Sequence, residues 1–199
     1  MARRLSAPNP LPLSMVLRSG AEPVRQGETS AGVWIVEFGV LLAGAVGSDG
    51  RRLADVLGPG DAVGEPDGHR SPVSVRAIRP ARLRQALPDE VGSLLAARAR
   101  RQLERATELA WFTTADRVHR CLEELSVRFG SEVAGGRSLG IRLTQEELAA
   151  VVGASRESAN RALRTLVELD RLRKRGRGRY VVPSREAPSC SRTRLQLAQ

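Results

Sequence analysis

The sequence holds a single lysine, Lys174, two histidines and two cysteines, and no apolar run near the eighteen or so residues of a membrane span. Cys121 and Cys190 lie far apart with no CxxC or Cys/His spacing, which argues against a zinc or iron–sulfur site. His119 has no partner at metal-ligand spacing and reads as a packing or surface residue. There is no P-loop and no nucleophile with a partnered histidine, so neither catalysis nor a metal or cofactor is expected. Arg3 and Arg4 stand at the N-terminus without a signal-peptide pattern behind them. The expectation is a soluble, cytoplasmic protein with reduced thiols and no membrane partner.

With lysine nearly missing, the positive charge is almost all arginine, and the chain of 199 residues carries a net +10. Such an excess points to a polyanionic partner, nucleic acid first and an anionic membrane surface second. Arginine suits bidentate contacts to guanine and phosphate, although a GC-rich genome would produce the same bias.

The most informative stretch runs from Leu143 to Leu169. Thr144 followed three residues later by Glu147 forms a capping box, so a helix starts there. Leu148, Val151 and Val152 recur at helical spacing until Gly153, which can turn the chain left-handed without a Cβ penalty. Ser155 is an N-cap for a second helix whose apolar side is Ala159, Ala162, Leu163, Leu166 and Leu169. Arg156, Glu157, Asn160, Arg161 and Arg164 are left on the outward side. Arginine can donate to guanine O6 and N7 and glutamate can accept from cytosine N4, so this side suits a major groove. The alternative is a solvated face with ordinary i,i+4 charge pairs. The turn, two caps in register and a basic hairpin signal behind them favour a helix-turn-helix.

Residues 1–14, rich in proline and small residues, read as a flexible lead-in, and 15–87 as a β-rich domain of short strands split by glycine, aspartate and proline. Ser48-Asp49-Gly50 and Gly58-Pro-Gly-Asp61 mark tight bends. A helix starts near Pro88-Asp89, and Leu95, Ala99, Gln102, Ala106, Leu109 and Thr113 then recur at heptad spacing. Over 88–113 this seam predicts either dimerisation through paired helices or a helix lying on its own β-domain. Residues 114–183 hold another helix from Ala115 to about Phe129, a flexible connector from Gly130 to Gly140, the helix-turn-helix and a basic hairpin. In that hairpin Lys174, Arg175 and Arg177 are candidates for phosphate contacts, against the alternative of a disordered basic tail. Residues 184–199 lack apolar periodicity and read as a disordered tail.

Gly-Ala-Ser-Arg-Glu-Ser-Ala-Asn-Arg at 153–161, with a β-domain and a long helix ahead of it and a wing behind, resembles the Crp/Fnr family of bacterial transcription regulators. Gly27-Glu28, Leu57-Gly-Pro-Gly-Asp61, Gly64-Glu65 and Val75-Arg-Ala-Ile78 extend the resemblance through the β-domain. It implies an α+β chain: an N-terminal double-stranded β-helix (β-roll), a long dimerisation helix and a C-terminal winged helix-turn-helix. It further implies a homodimer on a pseudo-palindromic double-stranded DNA site, with RNA polymerase as a further candidate partner. In the cyclic-AMP-responsive branch the matching positions read base edges at Arg156, Glu157 and Arg161, and touch phosphate at Thr144, its neighbour Gln145, and Ser155. A GTG-like half-site core is expected.

The effector side departs from the family pattern. Gly64, Glu65, Arg70 and Ser71 keep the residue types that hold a cyclic nucleotide, yet only Pro66-Asp-Gly-His69 separates them, about half the usual cassette. Pro66 also removes a backbone donor where a phosphate needs donors. Gln102 and Leu103 fall where the family's long helix points hydroxyls at the base. The expectation is therefore a regulator that does not require cyclic AMP. The alternative is a ligand-gated regulator whose β-roll binds a cyclic nucleotide or another small effector.

Overall fold

The computed structural model describes residues 13–184 except positions 49, 51, 67, 177 and 178, so most of the expected lead-in and tail falls outside the described residues. Short, largely apolar strands come first: β1 (Ser14–Leu17), β2 (Gly32–Phe38), β3 (Leu41–Val46), β4 (Arg52–Leu57), β5 (Ala62–Glu65), β6 (Ser74–Ala77) and β7 (Ala81–Gln85). They form two antiparallel sheets, ordered β1-β7-β2-β5 and β4-β3-β6. β3, β6 and β7 turn alternate side chains inward with the period of two of a strand. Leu17, Val36, Val63 and Leu83 from one sheet meet Leu41, Leu57, Val75 and Ala77 from the other. Each fully buried Leu or Val contributes about 1.5–3 kcal/mol, which is what closes the roll.

Helix α1 (Pro88–Trp111) opens with proline at its first turn, and Glu90 reaches back to the Leu87 amide at 2.8 Å. Over its 24 residues it buries none completely. Helix α2 (Thr114–Phe129), capped by Thr113, does the opposite: Val118, Leu122 and Leu125 are buried on one stripe. Next come β8 (Glu132–Val133), β9 (Gly136–Ser138), α3 (Gln145–Val151), α4 (Arg156–Glu168), β10 (Arg173–Lys174) and β11 (Tyr180–Pro183). Val118, Leu122, Leu148, Val152, Leu163, Leu166, Leu172 and Val182 make one apolar core from three helices and the wing. Residues 130–140, expected as a flexible connector, contain the β8–β9 hairpin, which joins a four-stranded sheet ordered β10-β11-β9-β8. Strands of two and three residues are too short to show alternation in sequence.

A third apolar cluster joins the halves. Val40 and Val56 of the roll pack with Leu125, Ile141 and Val151, flanked by Leu42, Ile78 and Phe129. The helix-turn-helix is thus seated on the roll through its first helix. Among the described residues no helix is long and apolar enough to cross a membrane.

Candidate nucleic-acid interface

The two helices of the motif are fixed by local chemistry. Thr144 accepts from the Glu147 amide at 3.1 Å while the Glu147 carboxylate accepts from the Thr144 amide at 2.7 Å, and Ser155 accepts from the Ser158 amide at 3.1 Å. Each cap satisfies amides that a helix start leaves bare. Gly153 lies at φ 60°, and a Cβ there would come within 2.5 Å of Leu109 Cδ2. A side chain at this position would be strained, and it would have to push the tip of Leu109 at the end of α1 aside.

Helix α4 buries Ala159, Ala162, Leu163 and Leu166 and turns Arg156, Glu157, Arg161 and Arg164 to solvent. Glu157 and Arg161 approach to 3.4 Å with side chains 83% and 73% exposed, a pair too wet to hold either group. Asn160 is half-buried and donates to the Gln145 side chain at 2.9 Å, bracing the two helices against each other. Thr144, Gln145 and Ser155 are exposed beside this face.

The basic hairpin is ordered as a wing at its described positions. Arg173 pairs with Val181 and Lys174 with Tyr180, and Arg175 and Arg179 close the turn through an amide–carbonyl bond of 2.8 Å. Lys174 and Arg175 are exposed, although Arg175 also donates to the Ala134 carbonyl at 2.8 Å. Arg177 lies outside the described residues.

Helix α1 has two unlike sides. Of the expected seam, Ala99, Gln102, Ala106 and Leu109 are exposed and Leu95 is half-buried. Leu103 and Trp111 are bare as well, at 69% and 80%. The inner side carries Leu94, Arg98, Arg101, Arg105 and Glu108, which face a cleft of about 940 Å³ against the roll, and Gln102, Ala106 and Leu109 of the seam line the rim of the same cleft.

The four effector-site residues are not brought together around that cleft. Gly64 lines it, and the adjacent Glu65 takes a hydrogen bond from Arg98 at 2.5 Å. Arg70 is exposed and donates to the Gly27 carbonyl at 2.7 Å, while Ser71 is buried with its hydroxyl on the Val73 carbonyl at 2.7 Å. The backbone explains this: residues 69 and 71 are zipped against 27–30 by Gly27–Ser71, Ser30–His69 and Ser71–Glu28 hydrogen bonds. Pro66 and His69 close a tight turn at 3.1 Å, and among the described residues no helix lies between β5 and β6.

Several residues here were not singled out from sequence. Arg117 donates to the carbonyls of Phe112, Val152 and Gly153, fastening the α1–α2 corner to the motif's turn. Arg52 and Arg76 of the roll meet Glu146 and Glu147 in the first turn of α3. Carboxylates at a helix start already suit its dipole, and only tertiary placement shows that they also dock a neighbour. Burial pushes the Cys121 thiol up to about 12, so it stays protonated at neutral pH.

Comparison with known proteins agrees with this layout. The Crp-like helix-turn-helix domain family matches residues 116–187. The CRP-like cAMP-activated global transcriptional regulator of Mycobacterium tuberculosis is 31% identical over 156 residues, covering 69% of this chain and 70% of its own. A CRP/FNR-family regulator from Thermus thermophilus shares the fold at TM-score 0.73 and 21% identity, over 86% of this chain and 94% of its own. The c-di-GMP responsive regulator CLP of Xanthomonas campestris does so at 0.71 and 24%, over 87% and 94%. These relatives are regulators rather than enzymes. With a capped helix-turn-helix, an antiparallel roll ahead of it and a relative of this identity and span, the chain belongs to the Crp/Fnr family of DNA-binding transcription regulators.

Proposed function

We propose that the chain acts as a homodimer that reads a two-fold DNA site without needing a cyclic nucleotide. The outward face of α4 carries this reading: Arg156, Glu157 and Arg161 stand exposed on one side of a helix whose other side is buried. Arg156 and Glu157 stand at the helix's first turn, the end that meets base edges when such a helix enters a major groove. The exposed apolar residues of α1, with Leu103 and Trp111 most open, support pairing with a second copy. Half-site centres are then expected about one turn of DNA apart, roughly 34 Å. Freedom from a cyclic nucleotide is supported by Arg70 and Ser71 being engaged elsewhere and by Glu65 being held by Arg98.

Selection of bound sequences from a random DNA pool, with the full chain and no nucleotide, tests this directly. Inverted GTG-like cores one turn apart are expected, and enrichment of unpaired or unrelated sequences would refute it. A second reading, gating by a small effector, is favoured by the open cleft and by the cyclic-AMP and c-di-GMP responses in the names of two relatives. A thermal-shift series with those two nucleotides separates the readings, because a ligand of the native state raises apparent stability.

A further inference from the structure

Helix α4 ends in a way that local preferences disfavour. Leu169 caps it, the Asp170 amide donates to the Val167 carbonyl at 3.1 Å and the Arg171 amide to the Leu166 carbonyl at 2.9 Å. Those two bonds make a Schellman motif, whose left-handed residue is usually glycine. Here it is Asp170, at φ 51°, the one non-glycine residue with a left-handed backbone among the described residues. Aspartate tolerates that conformation better than most side chains, but it sets a negative charge at the negative end of the helix dipole. No basic residue in the last turn of α4 offsets it.

What Asp170 gains is Arg173, three residues on. The guanidinium donates through Nε to Oδ1 and through Nη2 to Oδ2, both at 3.1 Å, a side-on fork that holds the carboxyl below its ordinary range. With side chains 71% and 48% exposed the pair adds little to stability, so stability does not explain an acid at this position. The remaining nitrogen, Nη1, reaches the Gly135 carbonyl at 3.5 Å, and a Cβ on Gly135 would meet it at 2.7 Å. Arg175 donates to the Ala134 carbonyl of the same β8–β9 turn at 2.8 Å. Arg173 and Arg175 share one face of the wing strand, and strand alternation sends Lys174 to the other. Between Asp170 and Arg173 the chain is pinned by Leu172, which is buried in the core. The first strand of the wing is thus tied at its base to the end of α4 and along one face to a neighbouring turn.

We infer that Asp170 is a positioning residue whose fork on Arg173 sets the angle at which the wing leaves α4, so that Lys174 and the arginines of the helix meet one stretch of DNA. A strained backbone and an unfavourable charge persist at the helix end because they fix the wing. The inference rests on the proposed DNA site being met by the wing as well as by α4.

Affinity of the full chain for its selected site and for random DNA is measured by fluorescence anisotropy across a salt series, with urea unfolding beside it. Coulomb attraction alone predicts that removing a carboxylate from beside DNA raises affinity for both. The wing tie predicts the opposite sign. Asp170→Gly, which suits the left-handed turn, is expected to keep or raise the urea midpoint and yet to weaken binding to both DNAs, with a slope of log affinity against log salt shallower by about 1. Asp170→Asn, which keeps the shape without the charge, and Arg173→Lys, which keeps the charge without the fork, are expected to change the slope in the same direction. Asp170 variants that bind both DNAs as tightly as wild type or tighter, an Arg173→Lys protein with an unchanged slope, or binding that falls only in step with the urea midpoint would overturn the inference. If Lys174→Ala flattens the slope while these three variants do not, the wing stays in the interface and the tie alone is refuted. A Lys174→Ala protein with the wild-type slope would take the wing out of the interface, and the inference with it.

Discussion

Arg101 and Arg156 stand on helices of one chain and have opposite surroundings. Arg101 lies between Asp55 and Asp61, about a quarter exposed, and those carboxylates hold its pKa up against the burial that would lower it. Arg156 opens α4 in solvent, in a stretch from 156 to 183 where nine basic residues meet three acidic ones. That stretch carries more than half of the net +10, whereas the α1 cleft, lined by five arginines and six carboxylates, is close to neutral. Arginine count alone therefore does not locate a DNA footprint. What locates it is guanidinium without carboxylate, because only uncompensated charge attracts phosphate and only an unengaged fork is available to a base.

Substitution at the two positions should separate them in kind. Arg101→Ala takes one of two arginine partners from each aspartate, with Arg105 left on Asp55 and Arg128 on Asp61, and is expected to cost about 1–2 kcal/mol of stability, below the range for a fully buried pair because water reaches this one. Urea unfolding measures it, and a loss under about 0.5 kcal/mol, the level of an ordinary surface change, would show that the cleft pairs are idle. Arg156→Ala is expected to leave unfolding unchanged and to cost about 1–3 kcal/mol in binding the selected site, relaxing preference at one base pair. Equal loss on selected and random DNA would move Arg156 to the class of phosphate contacts.

The wing sharpens the same contrast at a lower energy. Lys174 and Arg175 project from a hairpin whose backbone is paired, with no carboxylate partner recorded among the described residues. Replacing either with alanine is expected to weaken binding to all sequences alike and to reduce the slope of log affinity against log salt by about 1. An unchanged slope would take that residue out of the interface.

How much of this could be read from sequence follows from how local each signal is. Thr144, Glu147, Gly153 and Ser155 act within a few residues of themselves, and the structure has their caps and turn where the spacing put them. The start of α1 at Pro88 is local in the same sense. The inner side of α1 was not legible, because 94, 98, 101, 105 and 108 repeat with the same steps as 95, 99, 102, 106 and 109. Which set faces the roll depends on Asp55, Asp61 and Glu65, tens of residues away. The joint of Val40 and Val56 with Leu125, Ile141 and Val151 was hidden for a related reason. A strand residue buried against another domain looks the same in sequence as one buried in its own.

The smallest expected effect lies where α1 leaves the roll. Arg84 donates to both oxygens of Glu90, at 2.7 and 2.6 Å, and with the Leu87 amide it holds the Glu90 carboxyl at about 2 rather than the ordinary 4.5. A carboxyl with a depressed folded-state pKa stabilises the fold fully above its unfolded value, and the contribution fades as pH falls toward the folded one. The stability difference between wild type and Glu90→Gln is therefore expected to be steady above about pH 5 and to shrink as pH drops from about 4.5 toward 2. Arg84 and Glu90 keep a quarter or more of their side-chain surface in water, so the difference itself is modest, and melting temperatures taken across that window record its shape. A difference that holds constant down to pH 2 would mean that glutamine disturbs the helix start by shape alone. In that case the Arg84 pair, unlike the Arg101 pairs about three turns further along, would add nothing electrostatic to the placement of α1.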